Sequence, residues 1–246
     1  MIHNFELDGQ DSRDFGLYFV GEKIWKKPER DVNTIHIPGR DGDIIIDNGC
    51  YKNISDTLNF RLFAQNITEE YEKDYYEALR KIKEWLVVDD RYHQFIESYN
   101  PDYYREIRIK SFAAQQIEKS IANITLSIDC KPYLRRISGD NTIIVDTSGQ
   151  YIFNPDSEYS KPYMKIFPSD GTTDFTIRIN DNSYSFYRAD EYVEIDSETM
   201  NVFKGVINKN NYYASTGFPE FRPGLNLILF IGNINYIEII PRWRTT

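Results

Sequence analysis

The chain reads as a mainly β protein of two domains with one helix, and three observations predict this. Alternating apolar and polar residues recur along most of its 246 residues, punctuated by Gly, Pro, Asn and Asp. One stretch, from Thr68 to about Asp89, switches to helical spacing. Lys131-Pro132 and then Arg135-Arg136 to Asn141 interrupt the pattern, which divides the chain into residues 1–135 and 136–246. The 19 tyrosines and 15 phenylalanines point the same way, since aromatic side chains favour strands.

Composition narrows the function. A net charge of −9 lacks the basic face needed to grip nucleic-acid phosphates, but suits a surface that nucleic acid passes without sticking. No apolar run approaches the ~20 residues of a membrane helix, and the first residues lack the plan of a signal peptide. These features predict a soluble protein made in the cytoplasm. Cys50 and Cys130 show no metal-like spacing and are expected to be buried, reduced thiols.

In chain order, Phe5 and Leu7, then Phe15, Leu17 and Phe19, alternate as half-buried strands. Lys26-Lys27-Pro28-Glu29-Arg30 reads as a solvated loop. Residues 35–51 are expected to form a projecting β-hairpin arm. Pro38-Gly39 fits a type II turn and Asp41-Gly42 a type I′ hairpin turn, after which Ile44-Ile45-Ile46 restarts an extended run. Between the turns stand Arg40, Asp41 and Asp43.

Leu58, Phe60 and Leu62 form one face of a strand. Tyr71, Tyr75, Leu79, Ile82 and Leu86 then make one helical stripe over 68–89, with Thr68 as N-cap and Glu69, Glu70 and Glu72 at the positive end. Ile107 and Ile109, then Ile124, Leu126, Ile128 and Cys130, mark two strands separated by a polar loop at Gln115–Lys119 and stopped at Pro132. In the second part, Phe175, Ile177 and Ile179 turn through Asn180-Asp181-Asn182 to Tyr184 and Phe186. Tyr192–Ile195 and Asn201–Phe203 flank another turn at 196–199. Leu225, Leu227, Leu229 and Ile231 are expected to pair with Tyr236–Ile240 across Gly232-Asn233. Short strands with turns at this spacing predict a β-sandwich.

The pattern offers no convincing chemistry. His3, His36 and His93 show no ligand spacing, and Asp41, Asp43 and Asp47 resemble only part of a calcium loop. Glu191, Glu194, Asp196 and Glu198 could supply two carboxylates for glycoside hydrolysis, although a solvated turn explains them more simply. No phosphate loop, nucleophile elbow or zinc signature occurs.

Several pieces in order resemble the distal tail protein family of long, non-contractile bacteriophage tails. They are Phe5–Gly9, Arg13–Leu17, Ile37–Gly42, Tyr51–Asn53, Ile82–Leu86, Ile128–Pro132, Glu194–Glu198, Phe218-Pro219 and Pro223–Asn226. The Ile-Pro-Gly-Arg-Asp-Gly arm is the sharpest of them. The resemblance implies a first domain of β-sandwich type with one helix and the arm, assembled as a homo-hexameric ring, single or doubled. It implies a galectin-like β-sandwich outside that ring, with no enzyme activity and no cofactor.

Such rings are hubs at the virion tail tip. They join the tail tube protein to a tail-associated fibre or lysin-type protein and to receptor-binding proteins, while DNA leaves through the opening. On this reading Ile37, Pro38, Gly39, Arg40, Asp41, Gly42 and Asp43 form a contact between subunits. The second domain has no histidine and lacks the histidine, asparagine, arginine and glutamate run by which galectins hold a sugar. Trp243 either closes the sandwich or, under an alternative carbohydrate-binding reading, stacks on a pyranose.

Overall fold

A computed structural model of the protein describes residues 3–21, 26–64, 71–87, 89–169 and 173–246. The fold is mainly β, and the chain divides into two compact units, Met1–Leu134 with Thr246, and Arg135–Thr245.

The first unit begins with β1 (Phe5–Leu7), β2 (Gln10–Asp11) and β3 (Leu17–Phe19), continues through β4 (Arg30–Ile35), β5 (Ile44–Tyr51) and β6 (Ile54–Phe63) to helix α1 (Tyr71–Leu86), and ends with β7 (His93–Glu97), β8 (Tyr103–Glu118) and β9 (Ile121–Arg136). Seven strands hydrogen-bond in the order β2-β1-β7-β8-β9-β6-β3, while among the described residues β4 and β5 pair only with each other. Alternation is the cause: Phe60, Leu62, Ile107, Ile124, Leu126 and Ile128 put their side chains into one core. Tyr75, Ile82 and Leu86 face that core from the helix. Trp85 stacks on Phe15 with ring centroids 4.2 Å apart.

Four expectations change here. Phe15 lies on a short 3-10 turn, Ser12–Phe15, rather than on a strand. The helix ends at Leu86, because the Asp89 carboxylate accepts from the Arg91 backbone N–H at 2.8 Å and starts a turn; the expected cap at Thr68, with Glu69 and Glu70, lies outside the described residues. Gln115–Glu118 is strand, since no glycine or proline interrupts β8. Nor does Pro132 stop β9: the pairing with β6 ends at Cys130 opposite Ile54, so Pro132 falls beyond that ladder.

The second unit is two sheets on one core. Its strands run β10 (Ile143–Val145), β11 (Gln150–Asn154), β12 (Tyr163–Pro168), β13 (Thr173–Ile179), β14 (Asn182–Ala189), β15 (Val193–Asp196), β16 (Asn201–Lys204), β17 (Ile207–Asn208), β18 (Tyr213–Ala214), β19 (Gly224–Gly232), β20 (Ile234–Ile240) and β21 (Arg244–Thr245). One sheet has the order β10-β20-β12-β15-β16-β17 and the other β11-β19-β13-β14-β18. Met164, Ile195 and Ile237 from the first meet Ile177, Phe186 and Ile228 from the second.

Residues 135–141, expected as a linker, are anchored. Arg135 holds Glu198 at 2.5 Å, Arg136 holds Asp156 at 2.8 Å, and Ile137–Asp140 forms a 3-10 turn. The expected pair across Gly232-Asn233 does not form, because β19 and β20 belong to different sheets. The inward phase of β19 also differs from expectation. Ile228 and Asn226 are buried, while Leu225 and Ile231 are more than half exposed. Buried Asn226 is tolerated because its amide donates to the carbonyls of Arg222 and Gly224 and its oxygen accepts from Asn180.

Candidate functional site

The arm is a two-stranded ribbon longer than the expected 35–51. Pairing begins at Arg30 opposite Tyr51 and runs to Ile35 opposite Ile44. Near its base the register shifts between Arg30 and Val32, where Gly49 takes φ +74° and the Asp47 carboxylate accepts from the Gly49 N–H at 2.8 Å. At the base Arg30 lies over the Tyr51 ring of its partner strand at 4.2 Å, and Tyr51 ties the arm to the body edge-on to Tyr133 at 5.8 Å.

At the far end, residues 36–43 form the loop that carries Ile37–Asp43. Arg40 donates its N–H to the Ile37 carbonyl at 3.2 Å and Gly39 has φ +82°, the geometry of the Pro38-Gly39 type II turn. The type I′ turn does not form. It would need positive φ at both central residues, and Asp41 is not among the residues with positive φ, although Gly42 is, at +79°. A link between His36 Nδ1 and Asp43 Oδ1 at 3.0 Å closes the loop where the strands end.

What distinguishes the arm is exposure. Ile35, Ile45 and Ile46 are 44%, 68% and 46% exposed. Cys50, expected to be buried, is exposed because a two-stranded ribbon has no second layer to cover it. Cys130 is buried in the first core, and burial pushes its thiol up to about 12. Ile37, Pro38, Gly39, Arg40, Asp41, Gly42 and Asp43 stand together at the loop, and none of them lines a described cavity.

The other candidates are structurally occupied. Trp243 is 4% exposed and packs against Phe221, with its backbone close to Gly139, so no ring face is open to a sugar. Glu194 accepts from the Tyr163 hydroxyl and the Gly205 N–H, Glu191 pairs with Lys204, and Asp196 and Glu198 pair with Arg242. Burial raises the Asp196 carboxyl, but the Arg242 guanidinium and the N–H groups of Glu198 and Thr199 outweigh it and hold the group below its usual range. His93 lies between Asp8 and Asp89. No metal-holding cluster of His, Cys, Asp and Glu occurs among the described residues.

A hollow of the first unit, of about 450 Å³, has Glu97, Tyr99, Arg105 and Cys130 on its walls. There the Tyr99 hydroxyl donates to Glu97 and Arg105 lies 3.7 Å from the same carboxylate, so these polar groups satisfy one another.

The feature that sequence reasoning missed is the far half of β8. Residues 110–118 are almost wholly exposed, and the absence of any breaker between Tyr103 and Ser120 was the available signal.

No family model and no curated protein matches the chain. Among solved structures it is similar to the Dit protein (gp 19.1) of phage SPP1, presented as a paradigm of the hub adsorption apparatus in phages that infect Gram-positive bacteria. The superposition has a TM-score of 0.72 at 14% identity and covers 97% of this chain and 98% of that one, so it shows a shared fold through both units.

Proposed function

We propose that this protein is a structural hub subunit of a long, non-contractile phage tail. The observation that carries the reading is the likeness to a hub protein along nearly the full length of both chains. The uncovered arm and the structurally occupied carboxylates fit the same role. In this reading six copies close a ring through their first domains. The arm residues Ile37–Asp43 take part in the contact, and a galectin-like second domain lies outside. The ring joins the tube to tail-tip and receptor-binding proteins and passes DNA without binding it specifically. A heterologous contact that closes by rotation suits an arm on one side of the protomer.

Negative-stain imaging and light scattering of the purified chain test this. Six-membered rings, single or stacked, are expected; a strict monomer at tens of micromolar would count against it. The alternative, a carbohydrate-binding tip protein, loses its named aromatic because Trp243 is in the core. Saturable binding of the full chain to host cell walls would restore it.

A further inference from the structure

The ring reading leaves open which surface of the neighbouring copy receives the arm. The sheet of the first unit offers one candidate that stands apart from the rest. Strand β7 covers β8 only from Tyr104 to Ile107, and β9 occupies the opposite flank. From Arg108 to Glu118, no other described strand lies on the β7 side. Among the described residues, this flank is a row of backbone N–H and C=O groups open to pairing.

Open edges are normally blunted by shortness, charge, proline or a bulge. The terminal strands of the sheets follow that rule by length: β2, β3, β10, β17 and β18 have two or three residues and β11 has five. The open stretch of β8 does not. Between Lys110 and Glu118 it reads Ser-Phe-Ala-Ala-Gln-Gln-Ile, with no charge and no proline, and Ile117 is 49% exposed.

The arm has the matching deficit. A ribbon of two strands is marginal by itself. Both outer edges of this one are unpaired among the described strands, and its isoleucines face solvent. Its longer strand, Ile44–Tyr51, has eight residues, so it fits within the open stretch Arg108–Glu118. Charges stand at the loop end of the arm, Arg40 and Asp41, and at the two ends of the edge, Lys110 and Glu118, so whichever end the loop meets supplies an opposite charge that can set register.

From these observations we propose that the open edge of β8, Ser111–Glu118, takes the arm of a second copy as added strands. Backbone pairing supplies the contact and the arm isoleucines gain cover. The inference rests on the ring reading and names the acceptor surface within it.

Mixed-cysteine trapping tests it without disturbing a core position. In a Cys50→Ser background, one protein carries Thr34→Cys or Ile45→Cys, which are cross-strand partners on the arm, and the other carries Ala113→Cys or Gln115→Cys. The two are mixed under a mild added oxidant, and intact folding is checked by circular dichroism. Disulfides need Cβ atoms within about 4.5 Å, so only adjacent strands link. The expected result is a disulfide-linked species of twice the monomer mass from at least one pair, absent when either cysteine is omitted. Rings that form normally with no linked species from any pair would overturn this acceptor while leaving the ring intact. An unsubstituted chain that stays monomeric would overturn the ring reading and this proposal together.

Discussion

Two hairpins in this chain, β13–β14 and β4–β5, have similar local sequences and opposite fates. In β13–β14, Phe175 faces Phe186 and Ile177 faces Tyr184, and all four are at most 3% exposed. In β4–β5, Ile35 faces Ile44 and Thr34 faces Ile45, yet Ile45 is 68% exposed. Turn residues and β-branched runs make both ribbons; only a second layer makes one of them core. The sequences differ in one informative way. Phe175, Ile177 and Ile179 alternate with Thr176 and Arg178, so one face is meant for water. Ile44-Ile45-Ile46 is uninterrupted, so both faces of the arm ask for cover that the described residues do not supply.

The sharpest break in this comparison is deletion of Pro38–Asp43. Assembly is expected to be lost completely by light scattering, while circular dichroism shows both domains still folded. Unaltered assembly would remove the arm from the contact. Next, Phe186→Ala should cost about 3–5 kcal/mol in urea unfolding. In the unassembled chain the corresponding loss at the arm, Ile45→Ala, should stay within about 0.5 kcal/mol. Equal costs at a concentration where the chain is monomeric would mean that the arm is covered within one protomer.

The glycines sharpen the contrast further. A Cβ on Gly139 would stand 2.4 Å from the Trp243 backbone nitrogen, so Gly139→Ala should cost about 1–3 kcal/mol by forcing that backbone apart. Gly42 has open space around it, and Gly42→Ala should cost only about 1 kcal/mol, from its positive φ. Thiol labelling of the unassembled chain gives a binary readout: Cys50 should react in the folded protomer, and Cys130 only after unfolding.

The smallest expected effect is in acid. The folded-state pKa of Asp196 is lowered, so its stabilisation is full above the ordinary carboxylate range and is lost as pH falls through the folded value. Asp196→Asn should therefore be less stable than the parent at neutral pH, and the gap should narrow below about pH 4. A gap that is constant with pH would show that Arg242 does not depend on the charge of its partner.

Much of the fold was legible in residue order. Alternation located the buried faces of β6, β9, β13 and β14, the Tyr75–Ile82–Leu86 stripe marked the helix, and Pro38-Gly39 announced its turn. The candidate site was legible as an arm tip but not as an arm with a possible acceptor. Polar Gln115 and Gln116 look like loop unless the hairpin partner β9 is known to lie alongside them. Cys50 could not be recognised as exposed while the ribbon's lack of a second layer was unknown.

By itself, then, the sequence determined the local units: period, turn and strand are set by neighbours a few residues apart, whose sterics and hydrogen bonds need no distant partner. Tertiary structure alone decided which units meet. β19 pairs with β11, whose partner residues lie 70 to 78 positions earlier, and not with β20 beside it, and that choice also set which face of Leu225–Ile231 turns inward. Apolar residues occupy both faces of that strand, so periodicity could not choose its phase; a buried, fully hydrogen-bonded Asn226 and the sheet opposite did.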